Sequence, residues 1–294
     1  MIKTTGEKIF NVFNILLMIC LSLTIVFPFW QQIVISISPP NEASTVNLHL
    51  YTLKPTLDAY KDIFGKGTIG EAYFWTILKT LMSTLLTVIV STMLAYPLSK
   101  KYLVGRKYYM GLIIFTMFFS GGMIPSFLLV KNLKLMNTIW ALVLPGLCSA
   151  YNIIIIRNFF TSLPVEIEEA AFIDGAGEMT VFFKIILPLS MPIIATIALW
   201  TMVGSWNAWF DALLYIHNDE IKILQMVLRK TLQEAANSSD VYSAQHEVAA
   251  TARLYTRESL QAAMLMSVTL PILATYPFLQ KYFVKGIMIG SVKG

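Results

Sequence analysis

The stretch TSLPVEIEEAAFIDGAGEMTVFFKIILPLSMP, residues 161–192, is a polar segment between two hydrophobic ones that is long enough to fold by itself. Pro164 suits the first turn of a helix. Three glutamates follow shortly after it and place negative charge where the helix dipole is positive. These features predict a short helix that runs to about Phe172.

Two glycines, Gly175 and Gly177, are predicted to end this helix, because glycine readily adopts the left-handed backbone that reverses a chain. Apolar residues at helical spacing resume over 178–187, and Pro188 and Pro192 precede the next hydrophobic segment. We therefore expect two short helices at an angle, held by glycine and projecting from the apolar segments.

Composition places the rest of the chain in a membrane. Hydrophobic residues make up 56% of the 294 and charged residues 13%, with mean hydropathy +0.65. Soluble domains carry about 25% charged residues. Six apolar windows are each about long enough to cross ~30 Å of hydrocarbon as a helix. They are residues 12–37, 73–97, 108–130, 138–156, 189–215 and 261–283. The sequence predicts an all-α integral membrane protein with one transmembrane domain over 1–294.

Charge near the windows predicts the orientation in the membrane. Four cations lie between the second and third windows, at Lys100, Lys101, Arg106 and Lys107, and cytoplasmic loops are enriched in such residues. With six spans, both termini and the 161–192 loop then face the cytoplasm. The net charge of +5 is dispersed over membrane-flanking loops, which does not indicate a nucleic-acid partner.

The long outer loop, residues 216–260, contains apolar residues at helical spacing, at Ile221, Leu224, Val227 and Leu228. This apolar stripe must be buried against another surface. Either it packs on the outer rim of its own protein or it docks an external partner, and the sequence leaves both open.

No catalytic or metal-binding pattern is present. Cys20 and Cys148 fall in predicted spans and are expected to pack there as small apolar side chains. His49, His217 and His246 are scattered without metal-ligand spacing, and no P-loop of the required spacing occurs. We expect a chain that is not an enzyme and that binds no metal or cofactor.

Lys79 and Asp211 lie inside predicted spans, where burial of a charge in lipid is costly. Lys79 is expected to snorkel to the interface, and a role in the pore is the alternative. Asp211 follows Trp206, Asn207 and Trp209 in a mixture that differs from a lipid-facing helix. Aromatic rings stack on sugars while Asn and Asp bond hydroxyls, so these four residues are candidates for a carbohydrate path. An interfacial aromatic belt is the alternative.

Glu169 beside Ala170 and Ala171 gives a charged tip next to a nearly flat face, which suits a docking site; an ordinary amphipathic loop is the alternative. The order Glu169-Ala170-Ala171, Gly175, Ile185, Leu187-Pro188 resembles the EAA loop of binding-protein-dependent ABC importer permeases. Further features resemble the sugar-transporting, maltose-type branch of that family. They are Asp174-Gly175-Ala176, Phe182, Pro192, Gly121-Gly122 with Pro125, Trp206-Asn207 and the 285–294 tail.

The resemblance implies a function for the whole chain. Glu169, Ala170, Ala171, Asp174 and Gly175 would dock in a cleft of an ATPase subunit. The implied partners are a second permease in a heterodimer, two ATPase subunits that bind ATP and Mg, and an extracytoplasmic solute-binding protein. The implied cargo is a sugar or oligosaccharide, with features closest to the branch for acidic polymers such as alginate or pectin fragments. The implied location is the bacterial inner membrane.

Two other classes stay open from the residues alone. A cation-coupled secondary carrier needs ionisable groups inside the bundle, where only Lys79 and Asp211 qualify. A membrane scaffold that transports nothing would need neither.

Overall fold

The structure, a computed structural model, describes residues 4–45, 48–65, 67–237 and 255–291, with side chains apart from those of 234–237 and 276–291. The described residues form helices and connecting loops, with no strand among them, which confirms the all-α prediction. The helices are α1 Thr5–Ser36, α2 Pro40–Ala43, α3 Asp58–Gly65, α4 Thr68–Ser99, α5 Arg106–Phe118, α6 Met123–Asn132, α7 Trp140–Val143, α8 Ala150–Ser162, α9 Val165–Ile173, α10 Glu178–Val181, α11 Leu187–Leu189, α12 Met191–Asn207, α13 Phe210–Tyr215, α14 Leu224–Asn237 and α15 Arg257–Ser291. One turn of π-helix, Phe182–Ile186, joins α10 to α11.

Two of the described helices, α1 and α4, are long and apolar enough to cross a membrane unbroken. Two further pairs reach that length only if each counts as one bent span: α5 with α6, bent by 111°, and Glu178–Leu189 with α12, bent by 77°. The 138–156 window holds only α7 and the start of α8, because Pro145 and Gly146 interrupt it. The count of six spans stays a prediction.

The first break, between α5 and α6, lies at Gly121, Gly122 and Pro125, which interrupt the third apolar window and so predict a kink there. Gly122 has a φ of +91°, a backbone conformation that glycine tolerates and other residues rarely adopt. The Gly122 carbonyl accepts from both the amide and the hydroxyl of Ser126, at 3.3 and 2.8 Å, which fixes the first turn of α6. The predicted kink is confirmed, and it is sharp enough to turn the chain.

Contacts divide the chain into two compact units. The first comprises Met1–Gly70 and Val227–Pro271. Within it, the loop after α1 is fixed to the end of that helix, since Tyr60 donates to the Ser36 hydroxyl at 2.9 Å and the Thr56 amide to the Ile37 carbonyl at 2.8 Å. Ser259 of α15 donates to the Ser38 carbonyl at 3.3 Å. The described residues around Ser38, Thr56 and Tyr60 are therefore held to the end of α1 and to α15.

The second unit comprises Glu71–Met226 and Ile272–Gly294 and contains two hydrophobic clusters. One joins the end of α4 and α8 to the 161–192 segment. Its buried members are Ala95, Tyr96, Leu98, Ile153, Ile156, Phe160, Ala171, Val181, Phe182, Ile186 and Ile197. The other joins α6, α7 and α13 to the start of the outer loop. Its buried members are Val130, Ala141, Leu142, Ala212, Tyr215, Ile221 and Ile223.

The beginning of the outer loop covers its own unit. Ile221 belongs to the second cluster, and Leu224 is fully buried with its amide donating to the Thr76 hydroxyl at 2.9 Å. Lys222 pairs with Glu71 at 2.6 Å. For Ile221 and Leu224, packing on the protein's own rim is thus the correct alternative. Residues 238–254, including His246, lie outside the described residues.

Both cysteines are free and exposed on the isolated chain. Cys20 lies on α1, most of which is exposed, and Cys148 lies in the loop before α8. Neither side chain is buried by the described part of the chain, and the prediction that they serve as small apolar packing residues stays a prediction.

Candidate functional site

Helix α9 carries the predicted docking residues, and local sequence sets where it begins. Pro164 is its N-cap, with extended backbone, and Glu166 and Glu168 occupy its first turn, next to the positive end of the helix dipole. The helix ends at Ile173. The predicted short helix is confirmed.

Gly175 ends α9 through a Schellman motif. Its φ is +81°, its amide donates to the Phe172 carbonyl at 3.0 Å, and the Ala176 amide donates to the Ala171 carbonyl at 2.9 Å. These two bonds satisfy carbonyls that the end of a helix leaves free. An added Cβ at Gly175 would meet nothing within 4 Å, so glycine is required here by backbone conformation rather than by space.

The second half of the segment starts at Gly177, the N-cap of α10, whose φ of −81° any residue can adopt. The helix then widens into the π-turn at Phe182–Ile186. Pro188 lacks the amide that would bond to the Lys184 carbonyl in an α-helix, which accounts for the shifted ladder. We call the whole helix–turn–helix, residues 164–189, the elbow.

The elbow is anchored to the unit by an apolar face. Ala171, Val181, Phe182 and Ile186 are each at most 8% exposed and lie in the first cluster. Phe182 packs against Tyr96, with ring centroids 4.9 Å apart. Fully burying a Val, Ile or Phe side chain contributes about 1.5–3 kcal/mol, so the three larger members hold the elbow firmly against its own unit.

An ion pair ties α9 to the residue just beyond α4. The Lys100 ammonium pairs with the Glu168 carboxylate, and the two side chains are only 8% and 15% exposed. The same ammonium lies 4.1 Å from the centre of the Tyr96 ring, within cation–π range. Lys100 is therefore held from two sides at the end of α4.

Glu178 makes a second polar link between the elbow and α4. Its carboxylate accepts hydrogen bonds from the hydroxyls of Tyr96, at 2.9 Å, and Tyr102. Partial burial, followed by the hydrogen bond to Glu178 and the charges of Glu178 and Glu168, raises the pKa of Tyr102 to about 12. The Tyr102 hydroxyl therefore stays protonated and remains a donor at neutral pH. We call Tyr96, Lys100, Tyr102, Glu168 and Glu178 the polar clamp.

The polar clamp was not predicted from the sequence. Lys100 was interpreted as a loop cation, and Glu168 as a charge for the helix dipole. The only local signal is that Tyr96 and Lys100 lie four residues apart on one helical face, next to a predicted cytoplasmic loop. No local sequence pattern predicts that Lys100 pairs with Glu168 or that Tyr96 bonds to Glu178, because these partners lie 68 and 82 positions away.

The outward side of the elbow presents most of the predicted docking residues. Glu169, Ala170, Asp174 and Gly175 are exposed, and Ile173 beside them is 86% exposed. We call these five residues the docking face. Ala171, the fifth predicted residue, lies in the hydrophobic cluster, where it anchors α9.

The four candidate path residues flank a break between α12 and α13. Trp206 is 6% exposed and packs near Tyr73, with ring centroids 6.4 Å apart. Asn207 is exposed, and its amide oxygen accepts from Gln225 at 3.2 Å. Trp209 packs edge-on against Phe210, and Asp211 is half-buried in the first turn of α13. The four residues lie within one six-residue segment around the break, and Asn207 is the most exposed of them.

Lys79 does not snorkel, so that prediction is wrong. It is 1% exposed, and its ammonium donates to the carbonyls of Ser205 and Ala208 at 3.0 and 3.1 Å. The carbonyls at the break between α12 and α13 can accept from it, although the Ser205 carbonyl also accepts from the Ala208 amide at 3.3 Å, and they offer it better partners than the membrane interface does. Among the described residues, no group of His, Cys, Asp or Glu is arranged to hold a metal ion.

Long apolar helices with a rigidly anchored elbow define an all-helical membrane protein of the ABC importer permease fold. The structure matches a chain in the crystal structure of a bacterial ABC transporter involved in the import of the acidic polysaccharide alginate. The TM-score is 0.86 over 96% of this chain and 99% of that chain, at 29% sequence identity.

The chain belongs to the family described as "Binding-protein-dependent transport system inner membrane component", which matches residues 87–289. It is 42% identical to protein LplC of Bacillus subtilis (strain 168), over 99% of this chain and 97% of that protein. It is 37% identical to the polygalacturonan/rhamnogalacturonan transport system permease protein YtcP of the same organism, over 98% of this chain and 99% of that protein. The resemblance to sugar-transporting ABC permeases is confirmed.

Proposed function

We propose that this chain is one of two permease subunits of an ABC importer for sugars or oligosaccharides. Its partners would be a second, similar permease, two ATPase subunits and an extracytoplasmic solute-binding protein. The observation that carries the proposal is the elbow, which is locked to its own unit on one side and presents an accessible docking face on the other.

The docking face supports a role as the contact with an ATPase subunit. Ala170 and Gly175 are small, so another backbone can approach closely, while Glu169 and Asp174 offer charges at the rim and Ile173 an apolar contact. ATP and Mg would be bound entirely by the ATPase subunits, and this chain would contribute no catalytic group. ATP hydrolysis in the ATPase subunits would move this chain.

Force would travel from the docking face into the membrane along two routes. The polar clamp links α9 and α10 to the end of α4, and the π-turn leads through α11 into α12. Because packed interiors transmit strain rather than absorb it, displacement of the elbow would displace both helices. Alternating access of a path between two permeases follows from such motion.

The proposed cargo is an acidic oligosaccharide. Relatives named for polygalacturonan/rhamnogalacturonan and for alginate import both act on polymers that contain uronate sugars. Along the path, Asn207 is the candidate for bonding sugar hydroxyls, and Trp209 for stacking. Trp206 would support them from its buried position. Asp211 would be a second residue that bonds sugar hydroxyls.

We place the protein in the bacterial inner membrane as a multi-pass subunit with both termini in the cytoplasm. The cations of 100–107 include Lys100 of the polar clamp, which contacts the elbow, so the positive-inside rule assigns the elbow to the cytoplasm. The outer loop would then face the solute-binding protein.

Reconstitution tests this function directly. The chain, its partner permease and the ATPase subunits are placed in proteoliposomes with the binding protein, and uptake of labelled oligogalacturonate, alginate oligomers and maltooligosaccharide is measured. We expect ATP-dependent uptake that an uncoupler does not reduce, with the acidic sugars preferred. Uptake that collapses with the uncoupler and persists without the ATPase would instead indicate a cation-coupled carrier, and no flux of any sugar would indicate a scaffold.

The residues at the helix break should separate into two kinds when each is replaced by alanine. Trp206→Ala empties a buried site, which costs about 3–5 kcal/mol for a large aromatic, so the yield of folded protein should fall. Asn207→Ala removes an exposed side chain, so the yield should hold while the KM for sugar rises. The measurements are monodisperse yield by size-exclusion chromatography and uptake kinetics.

Gln225→Ala is the matched control, because it deletes the hydrogen bond to Asn207 and leaves the Asn207 amide in place. Its KM should stay within about twofold of the wild type, as expected for a surface substitution. An Asn207→Ala variant that transports with unchanged kinetics would remove Asn207 from the path.

A further inference from the structure

Lys79 is the largest of the described side chains that are almost completely buried. It lies in α4, eleven residues after the first residue of that helix, or about 16 Å along its axis. A buried ammonium in a membrane protein carries a large desolvation cost. Such a residue is retained where its charge has a specific task.

The contacts of Lys79 identify that task. Helix α12 ends at Asn207, Ala208 is its C-cap, and α13 begins at Phe210. A break of this kind leaves carbonyls without helical partners, and no water in the hydrocarbon region can satisfy them. Lys79 donates to two carbonyls of this region, those of Ser205 and Ala208. One side chain thus satisfies acceptors on the last turn of α12 and at the break itself.

Electrostatics favour the same arrangement. The C-terminus of a helix carries partial negative charge, so a cation is stabilised there. Asp211, in the first turn of α13, also interacts with Lys79 through its charge. Lys79 is therefore attracted by the end of one helix and by an acidic residue at the start of the next. Its ammonium thus supplies two hydrogen bonds at the position where the helical hydrogen bonds of α12 end.

We infer that Lys79 is a positioning residue for sugar transport. Through its hydrogen bonds to the Ser205 and Ala208 carbonyls, it fixes the geometry of the α12–α13 break and so the direction in which Asn207 and Trp209 face the path. The inference rests on the proposed function for the role of the path. The geometry of the break, however, is a property of this chain alone. Lys79 acts through the backbone and does not touch the sugar.

Hydrogen–deuterium exchange of the assembled, sugar-free transporter tests the positioning role. Lys79→Met keeps the length of the side chain and removes the donors, so exchange over residues 203–213 should rise by about tenfold or more. Exchange over 165–175, in the elbow, should not change. Lys79→Arg retains a cationic donor and should restore part of the protection. Lys222→Met is the matched control, because its ion pair with Glu71 is partly exposed and its loss should leave residues 203–213 unchanged.

Transport measurements then distinguish positioning from direct recognition of an acidic sugar. If Lys79 positions the break, Lys79→Met should lower uptake of acidic and neutral oligosaccharides by the same factor, and Lys79→Arg should recover part of both. Unchanged exchange in Lys79→Met, or a loss confined to acidic sugars, would overturn the inference. Failure of the wild-type transporter to move any sugar would refute the proposed function and leave the exchange result valid.

Discussion

Gly175→Val is expected to reduce sugar uptake by about tenfold or more while the protein remains in the membrane. Gly175 has a φ of +81°, and a residue with a Cβ pays about 1–2 kcal/mol for a left-handed backbone, more when it is β-branched. Strain of that size corresponds to about a tenfold shift in a conformational equilibrium. The Schellman motif would open and α9 would lose its fixed direction. ATP-driven uptake per transporter in proteoliposomes measures the effect.

Two controls isolate backbone conformation as the cause. An added Cβ meets nothing within 4 Å at Gly175 or at Gly177, but only Gly175 has a positive φ. Gly177→Ser should therefore transport nearly as well as the wild type, since serine is a favourable N-cap. Gly175→Asn should be intermediate, because asparagine tolerates the left-handed region. Normal uptake by Gly175→Val would contradict the role assigned to this turn.

Lys100→Met is expected to uncouple the transporter. The substitution leaves Glu168, 15% exposed, without its cation, and removing one partner of a buried pair costs up to about 3–5 kcal/mol. The attachment of α9 to the end of α4 would weaken. Uptake stimulated by the binding protein should fall by about tenfold or more, while ATP hydrolysis by the assembled complex falls much less. The ratio of sugar moved to ATP hydrolysed is the measurement.

Charge exchange and an exposed pair provide the comparison. Lys100→Glu combined with Glu168→Lys restores opposite charges at the same two positions and should recover part of the ratio. Lys61→Met breaks an ion pair with Asp58 in which the lysine is 75% exposed, so it should change little. A ratio that is normal in Lys100→Met would exclude the polar clamp from force transmission.

Residues that act over short distances made the elbow predictable. Pro164, the acidic first turn and Gly175 each act within a few positions, so the sequence predicts where α9 begins and ends. The π-turn is a less obvious consequence of Pro188, because a missing amide can be accommodated in several ways. Patterns of this kind define an element without showing what it packs against.

Contacts between segments that are far apart in the sequence could not be predicted from local sequence patterns. The ammonium of Lys79 bonds to carbonyls 126 and 129 positions away, which lie at the place where α12 ends. The helix break itself has no glycine or proline at Asn207, Ala208 or Trp209, and Gly204 lies about one turn earlier, inside α12. The snorkelling prediction failed for this reason. Membrane polar residues cannot be assigned until their tertiary partners are known.

A photo-crosslinker placed at Ala170 in the complete transporter tests the central claim most directly. Ala170 is exposed on the docking face. The control position is Tyr51, which is 73% exposed and lies between the first and second predicted spans, on the side opposite the termini if the chain crosses the membrane six times. On illumination, position 170 should form an adduct with an ATPase subunit, identified by mass spectrometry, whereas position 51 should form none with that subunit. Adducts from position 170 that involve only lipid or the solute-binding protein, with the ATPase subunits present, would contradict the account.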